Sequence, residues 1–114
     1  MANSSLFIHW NKPTQGREKA SDAFLEEVTK FLGSKKEVES YETVLLQQRG
    51  HELNGFILVR GSRQGLTSLQ DGSDWRMLVA KASIIMDGFG IVPGFVGDSI
   101  ASESGAFLEA HASL

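Results

Sequence analysis

Four short segments of this chain are apolar on consecutive positions, and that feature restricts the fold more than any other. They are Phe7 and Ile8, Val44 to Leu46, Phe56 to Val59, and Ile91 to Val92. A strand with one face in water alternates polar and apolar side chains, whereas one that is apolar on successive residues needs both faces covered. Helices can supply one covering. The other has to come from elsewhere, and another copy of the same sheet is its simplest source.

The elements follow from periodicity and punctuation. The run LFIHWN (6–11), closed by Pro13 through Gly16, predicts a first strand at about residues 5–12. Over residues 17–33, a step of about 100° per residue puts Ala20, Phe24, Val28, Phe31 and Leu32 on one arc, with Asp22, Glu26, Thr29 and Lys30 opposite. That is an amphipathic helix, with Gly33 where a helix-ending glycine belongs. Residues 38–48 begin as an alternating strand, Arg49 to Asn54 form a polar connection, and Gly55 to Arg60 make a short apolar strand, so the two read as an antiparallel hairpin with a long loop. Gly61 and Ser62 introduce a second helical region, interrupted at Asp71-Gly72-Ser73. Leu66 and Leu69 belong to its first part; Trp75, Leu78, Val79, Ala82 and Met86 form the stripe of its second, with Ser73 or Asp74 as N-cap. The last strand lies within Gly88 to Gly97, where Pro93 removes a ladder donor and points to a sheet edge or a bulge. Residues 98–114 read as a tail with helical character around Phe107 to His111.

At 114 residues the chain is long enough for one domain and short for two, so the expectation is a single domain over 1–114 with its core at about 5–97. Apolar residues make up 41% and charged residues 22%, which is ordinary globular usage. Cysteine is absent, which excludes a disulfide framework, a thiolate nucleophile and any Cys-based metal site, and fits a reducing compartment. No basic region precedes the first apolar run and no stretch approaches a membrane span, so a cytoplasmic protein with no membrane partner is expected. The net charge of −3, with scattered basic residues, lacks the footprint expected for gripping nucleic acid. LFIHWN and NGFILV superficially share the placing of RNA-recognition sheet motifs. Those need exposed stacking aromatics and basic flanks, and Leu58 stands where the second aromatic of the third strand would be.

The order strand, helix, strand, strand, helix, strand predicts an α+β, ferredoxin-like βαββαβ fold, a four-stranded antiparallel sheet with two helices on one face. Here the chain resembles the dimeric α+β barrel superfamily, whose ferredoxin-like subunits face each other across a two-fold axis. The resemblance rests on Asn11-Lys12-Pro13-Thr14-Gln15-Gly16-Arg17-Glu18, similar to an N-P-x-x-G-R-E turn there, with Lys12 inserted before the proline, and on the helix that follows, whose Phe24 sits where an aromatic is usual. Residues 55–62 and 87–92 are similar to segments of small members. The resemblance implies a homodimer. Superfamily members include cofactor-independent monooxygenases, isomerases, dehalogenating or decarboxylating enzymes and haem-dependent proteins. In several enzymes a histidine follows the aromatic of the first helix; Val28, Thr29 and Lys30 occupy that neighbourhood here.

His9 shares a strand face with Phe7 and Asn11, opposite Ile8 and Trp10, so all three are expected to project between two facing sheets. An imidazole in a largely apolar cavity can act as a general base; equally, His9 can be a hydrogen-bonded interface histidine. Arg60 ends the third strand on the face of Phe56 and Leu58, where a guanidinium suits a carboxylate or enolate or simply snorkels over an apolar rim. His9, Asn11 and Arg60 are thus the candidate catalytic residues, His9 as base and Asn11 or Arg60 stabilising an anion. His51 and Glu52 fall in a loop and His111 in the tail, without HxH or HxxxH spacing, so no metal is expected. Trp75 reads as core and Trp10 as packed under the helices. No phosphate loop, dinucleotide fingerprint or nucleophile elbow occurs, and no cofactor is expected. Three functions are compatible with these residues: binding of a small apolar or anionic metabolite between the sheets, cofactor-free chemistry at an acidic C–H, or a purely structural dimer with no cavity.

Overall fold

The computed structural model describes residues 2–47 and 52–114; His51 and the end of the strand expected over 38–48 lie outside them. In chain order the elements are β1 (Ser4–Trp10), β2 (Lys12–Pro13), α1 (Glu18–Ser34), β3 (Ser40–Leu45), β4 (Gly55–Gly61), α2 (Arg63–Asp71), α3 (Ser73–Ile85), β5 (Met86–Asp87), β6 (Gly90–Phe95) and α4 (Ser99–Ala112). The main sheet runs β3-β4-β1-β6 and is antiparallel throughout. Each helical connection therefore crosses one intervening strand, α1 over β4 and α2–α3 over β1, as expected for βαββαβ. Pro93 lies on β6, an edge strand paired with β1, where a missing N–H breaks no ladder on the outer side.

Alternation along the strands sorts the consecutive apolar residues onto two faces. Leu6, Ile8, Trp10, Ile57 and Val59 are buried with Phe24, Val28 and Leu32 of α1, Leu66 and Leu69 of α2, and Trp75 and Ala82 of α3. Leu78 and Val79 of the expected stripe are only half-buried against this core. A void of about 20 Å³ remains between helices and sheet, lined wholly by hydrophobic side chains. The opposite face carries Ser5, Phe7 and His9 of β1, Phe56, Leu58 and Arg60 of β4, Ser40, Glu42 and Val44 of β3, and Val92 of β6. No helix covers it: Val92 is 52% exposed, and Phe7, Phe56, Leu58 and Val44 are half-buried.

Four local expectations are corrected. The first strand does not run unbroken to residue 12: it leaves the main sheet after Trp10, bends at Asn11 and pairs again as β2 with β5, held by Asn11 N–H to Asp87 O (2.8 Å) and Thr14 N–H to Ile85 O (2.7 Å). Gly33 does not end α1, which continues to Ser34 and exits through an extended Lys35. The α3 N-cap is Gly72 rather than Ser73 or Asp74; Ser62, by contrast, caps α2 by accepting from Gly65 N–H (3.0 Å). Asp74 is instead drawn to Lys35, 2.6 Å away, and this ion pair replaces a helix-ending glycine as the tether at the α1 exit. Residues 98–114, expected as a tail helical around 107–111, form the 14-residue α4; the run of Ala, Ser and Glu offers little that opposes a helix.

The Lys35–Asp74 pair makes stability depend on pH. The hydrogen bond from the Lys35 ammonium holds the Asp74 carboxyl below the usual carboxylate range, opposed by desolvation, and the same bond holds the ammonium above the usual lysine range. A lowered acid stabilises the fold above its ordinary pKa and loses that contribution as pH falls through the folded value; a raised base loses its own as pH rises through its folded value. Asp74→Asn should therefore lower the urea midpoint slightly at neutral pH and not at the acid end of the titration. An equal deficit at both ends would show that the pair is not responsible. Both side chains are well exposed, so solvent screening keeps the effect small.

Candidate functional site

The uncovered sheet face opens, at the C-terminal end of β1, into a groove of about 530 Å³ lined by Phe7, His9, Asn11, Glu52, Leu53, Gly88 and Val92. His9 reaches it because the pleat alternates its side chain away from buried Ile8 and Trp10. Its ring stacks at 5.5 Å centroid distance on Phe7, which in turn lies 5.0 Å from Phe56. On the other side it lies over Gly90, its cross-strand partner: a Cβ built there would fall 2.6 Å from the imidazole Nε2. Glycine at 90 is thus the space in which the ring lies. Among the described residues the His9 imidazole makes no hydrogen bond.

Asn11 owes its position to the bend between β1 and β2. Its Oδ1 accepts from Asn54 Nδ2 at 2.6 Å, while Asn54 N–H bonds Trp10 O at 2.9 Å, so the residue entering β4 holds the one leaving β1. Gly88, at φ +68°, passes so close that its Cβ would stand 3.0 Å from that of Asn11; a side chain there would be both strained and crowded.

Of the three candidates, His9 and Asn11 come together and Arg60 does not. Arg60 pairs with Ser5 and Ser40 at the other end of the sheet, four residues along β4 from Phe56, which faces His9; that is about 14 Å at strand rise. Glu52 and Asn54 were read as loop residues, and both belong to this end of the sheet. Their signal was the hairpin register, which lays the residues just before β4 beside those just after β1. The Glu52 carboxylate lines the same groove as His9 and Asn11 and brings a negative charge to it. Among the described residues no three His, Asp or Glu side chains cluster as a metal site, and no helix is long and apolar enough to cross a membrane.

No protein-family model matches the sequence, and no curated protein matches it either. Solved structures do resemble it. A dimeric ferredoxin-like protein of unknown function from Thermobifida fusca superposes with a TM-score of 0.68 at 11% identity, over 83% of this chain and 92% of that one. A DABB-family protein with a ferredoxin-like fold from Mesorhizobium loti gives 0.67 at 12%, over 82% and 96%. A Deinococcus radiodurans protein provisionally described as an antibiotic biosynthesis monooxygenase gives 0.61 at 7%, over 86% and 94%. At these identities the likeness is one of architecture, and it agrees with the strand order: the chain has a ferredoxin-like βαββαβ fold.

Proposed function

We propose that the protein is a cytoplasmic homodimer whose uncovered sheet faces meet, and that the groove at His9 binds a small, largely apolar metabolite bearing a carbonyl or enol oxygen. The observation that carries this reading is the apolar face of Phe7, Phe56, Leu58, Val44 and Val92, left open by the helices and continuous with a groove holding three polar side chains, His9, Asn11 and Glu52. A large exposed apolar patch beside a polar notch is the usual mark of an interface with a ligand site. The dimeric description of the Thermobifida fusca structure supports the pairing, and the cysteine-free composition supports the location. An acidic chain with scattered basic residues does not suit nucleic acid as a partner. Sedimentation should give about twice the 12.4 kDa of one chain; a monomer at micromolar concentration would overturn the pairing.

A second reading, cofactor-free isomerase, lyase or monooxygenase chemistry, is favoured by a His9 imidazole that makes no hydrogen bond among the described residues and lines one groove with the Asn11 amide, and by the description of the Deinococcus radiodurans structure. In it, His9 takes the proton of an acidic C–H while an amide hydrogen of Asn11 stabilises the resulting enolate oxygen. Both readings rest on His9. His9→Ala should leave the dimer and its unfolding midpoint nearly unchanged while weakening binding of hydroxyquinones and aromatic carboxylates, measured by thermal shift, by tenfold or more. The opposite pattern, a dimer destabilised by roughly 1–3 kcal/mol with ligand response intact, would make His9 an interface residue with a buried partner left unsatisfied.

A further inference from the structure

Between α2 and the β6 edge of the sheet lies a second cavity, of about 260 Å³, on the helix side and thus on the face opposite the His9 groove. It exists because α2 packs on β1 and β4 and leaves β6 uncovered. Pro93 and Phe95 alternate with Val92 and Gly94 and so face the helix side, yet both are exposed, Phe95 by 46%. One face of α2 roofs the cavity, with Arg63, Leu66, Thr67 and Gln70 at steps of three and four residues. Its floor is Ser4 and Leu6 of β1 with Pro93 and Phe95 of β6. Register brings two of the polar groups to one end. Ser4 pairs with Gly61 on one side and Phe95 on the other, and Gly61 is followed at once by the Ser62 cap and Arg63. The Asn3 side chain fixes that approach, its Oδ1 accepting the Arg63 N–H at 3.1 Å.

Two donors that line this cavity have no acceptor. Ser4 is only 8% exposed, and its hydroxyl makes no hydrogen bond among the described residues; a buried hydroxyl left so is uncommon. The Arg63 guanidinium makes neither a hydrogen bond nor an ion pair among them. The other polar groups are engaged. Thr67 Oγ1 donates to Arg63 O (2.8 Å) and Gln70 Nε2 to Leu66 O (3.2 Å), while Asn3 and Ser62 already take the N–H groups of Arg63 and Gly65 at the start of α2. We infer that the cavity binds a small monocarboxylate with a compact apolar body, its head held by the Arg63 guanidinium and the Ser4 hydroxyl and its body lying on Leu6, Pro93 and Phe95. A guanidinium offers two parallel N–H groups to the two oxygens of one planar carboxylate, and the hydroxyl adds a third bond. A phosphate carries more negative charge than one guanidinium neutralises, and the excess would face apolar walls. The volume falls just below the about 300–1,000 Å³ usual for ligand pockets, so the body is short. Because the cavity faces away from the open side of the sheet, it stands whether or not two copies pair there.

The test titrates hexanoate into the full chain and follows backbone amides by heteronuclear NMR. The amides of Ser4, Thr67 and Phe95 should shift together and saturate at millimolar concentration or below. Arg63→Gln should raise the dissociation constant at least about tenfold and Ser4→Ala about threefold. Circular dichroism should report an intact fold in both, since the Arg63 side chain is exposed and Ser4→Ala removes one atom that holds nothing. Arg63→Lys, which keeps the charge and loses the fork, should recover only part of the binding. No saturable shift with millimolar hexanoate overturns the site, as does saturation that Arg63→Gln leaves unchanged, which would make the cavity a purely apolar crevice. Inorganic phosphate bound as tightly as hexanoate overturns the carboxylate head and apolar body. Shifts confined to Phe7, Asn11 and Val92 would assign hexanoate to the His9 groove and equally overturn the proposal.

Discussion

Trp10→Ala should lower the free energy of unfolding by about 3–5 kcal/mol, a third or more of what a domain of this size commonly has. The indole is 6% exposed and closes the core where β1 leaves the sheet. It lies flat over Gly55, its cross-strand partner: a Cβ built there would approach the ring to 2.5 Å, so the strand has given up a side chain to admit the indole. Removing it leaves a cavity against Gly55 that the glycine cannot fill, while the β1–β4 ladder around it limits collapse. Urea unfolding at neutral pH measures the loss, and a change below 1 kcal/mol would mean that the indole is not the plug described. Comparison with the preceding residue sharpens the result. His9→Ala and Trp10→Ala are one position apart on one strand, and the pleat separates their effects, ligand response from the first and fold stability from the second.

Leu58→Lys should convert the proposed dimer to a monomer, raising its dissociation constant by at least about 1,000-fold, because pairing the sheets would then bury an ammonium without a fixed partner. Lysine is the better probe than aspartate. Leu58 sits opposite Glu42 of β3 and Phe7 of β1, so in the monomer the new cation meets a carboxylate across the strand and the fold loses little. Light scattering across a dilution series reads the mass, and circular dichroism guards against unfolding. A Leu58→Lys protein that remains a dimer would show that the uncovered face is not the contact surface, and the apolar residues along it would need another explanation.

Much of the fold was legible in local chemistry. Apolar runs of strand length, the 3.6-residue stripe through Phe24, Val28 and Leu32, the break at Asp71-Gly72-Ser73 and the edge position of Pro93 are all consequences of backbone periodicity and proline geometry, which act within a few residues. The side of the sheet on which His9 projects was legible for the same reason, since alternation needs no partner. What stayed out of reach depends on neighbours distant in the chain. Gly33 looked like a helix end, yet Asp74, 39 residues away, ties down Lys35 and lets the chain leave α1 extended. The bend at Asn11 arises from pairing with Asp87 across a two-residue sheet. Arg60 was grouped with His9 because both lie on one face, but a shared face says nothing about distance along it; only the strand register put Arg60 at the far end and brought Asn54 and Glu52 to the near one. The sequence by itself therefore determined the four main strands and the helices between them, and which way their side chains point, but not the two-residue sheet of β2 and β5 or the full extent of α4. Tertiary structure alone decided which of those side chains meet, because register and turn geometry are settled by contacts between segments that no local pattern encodes.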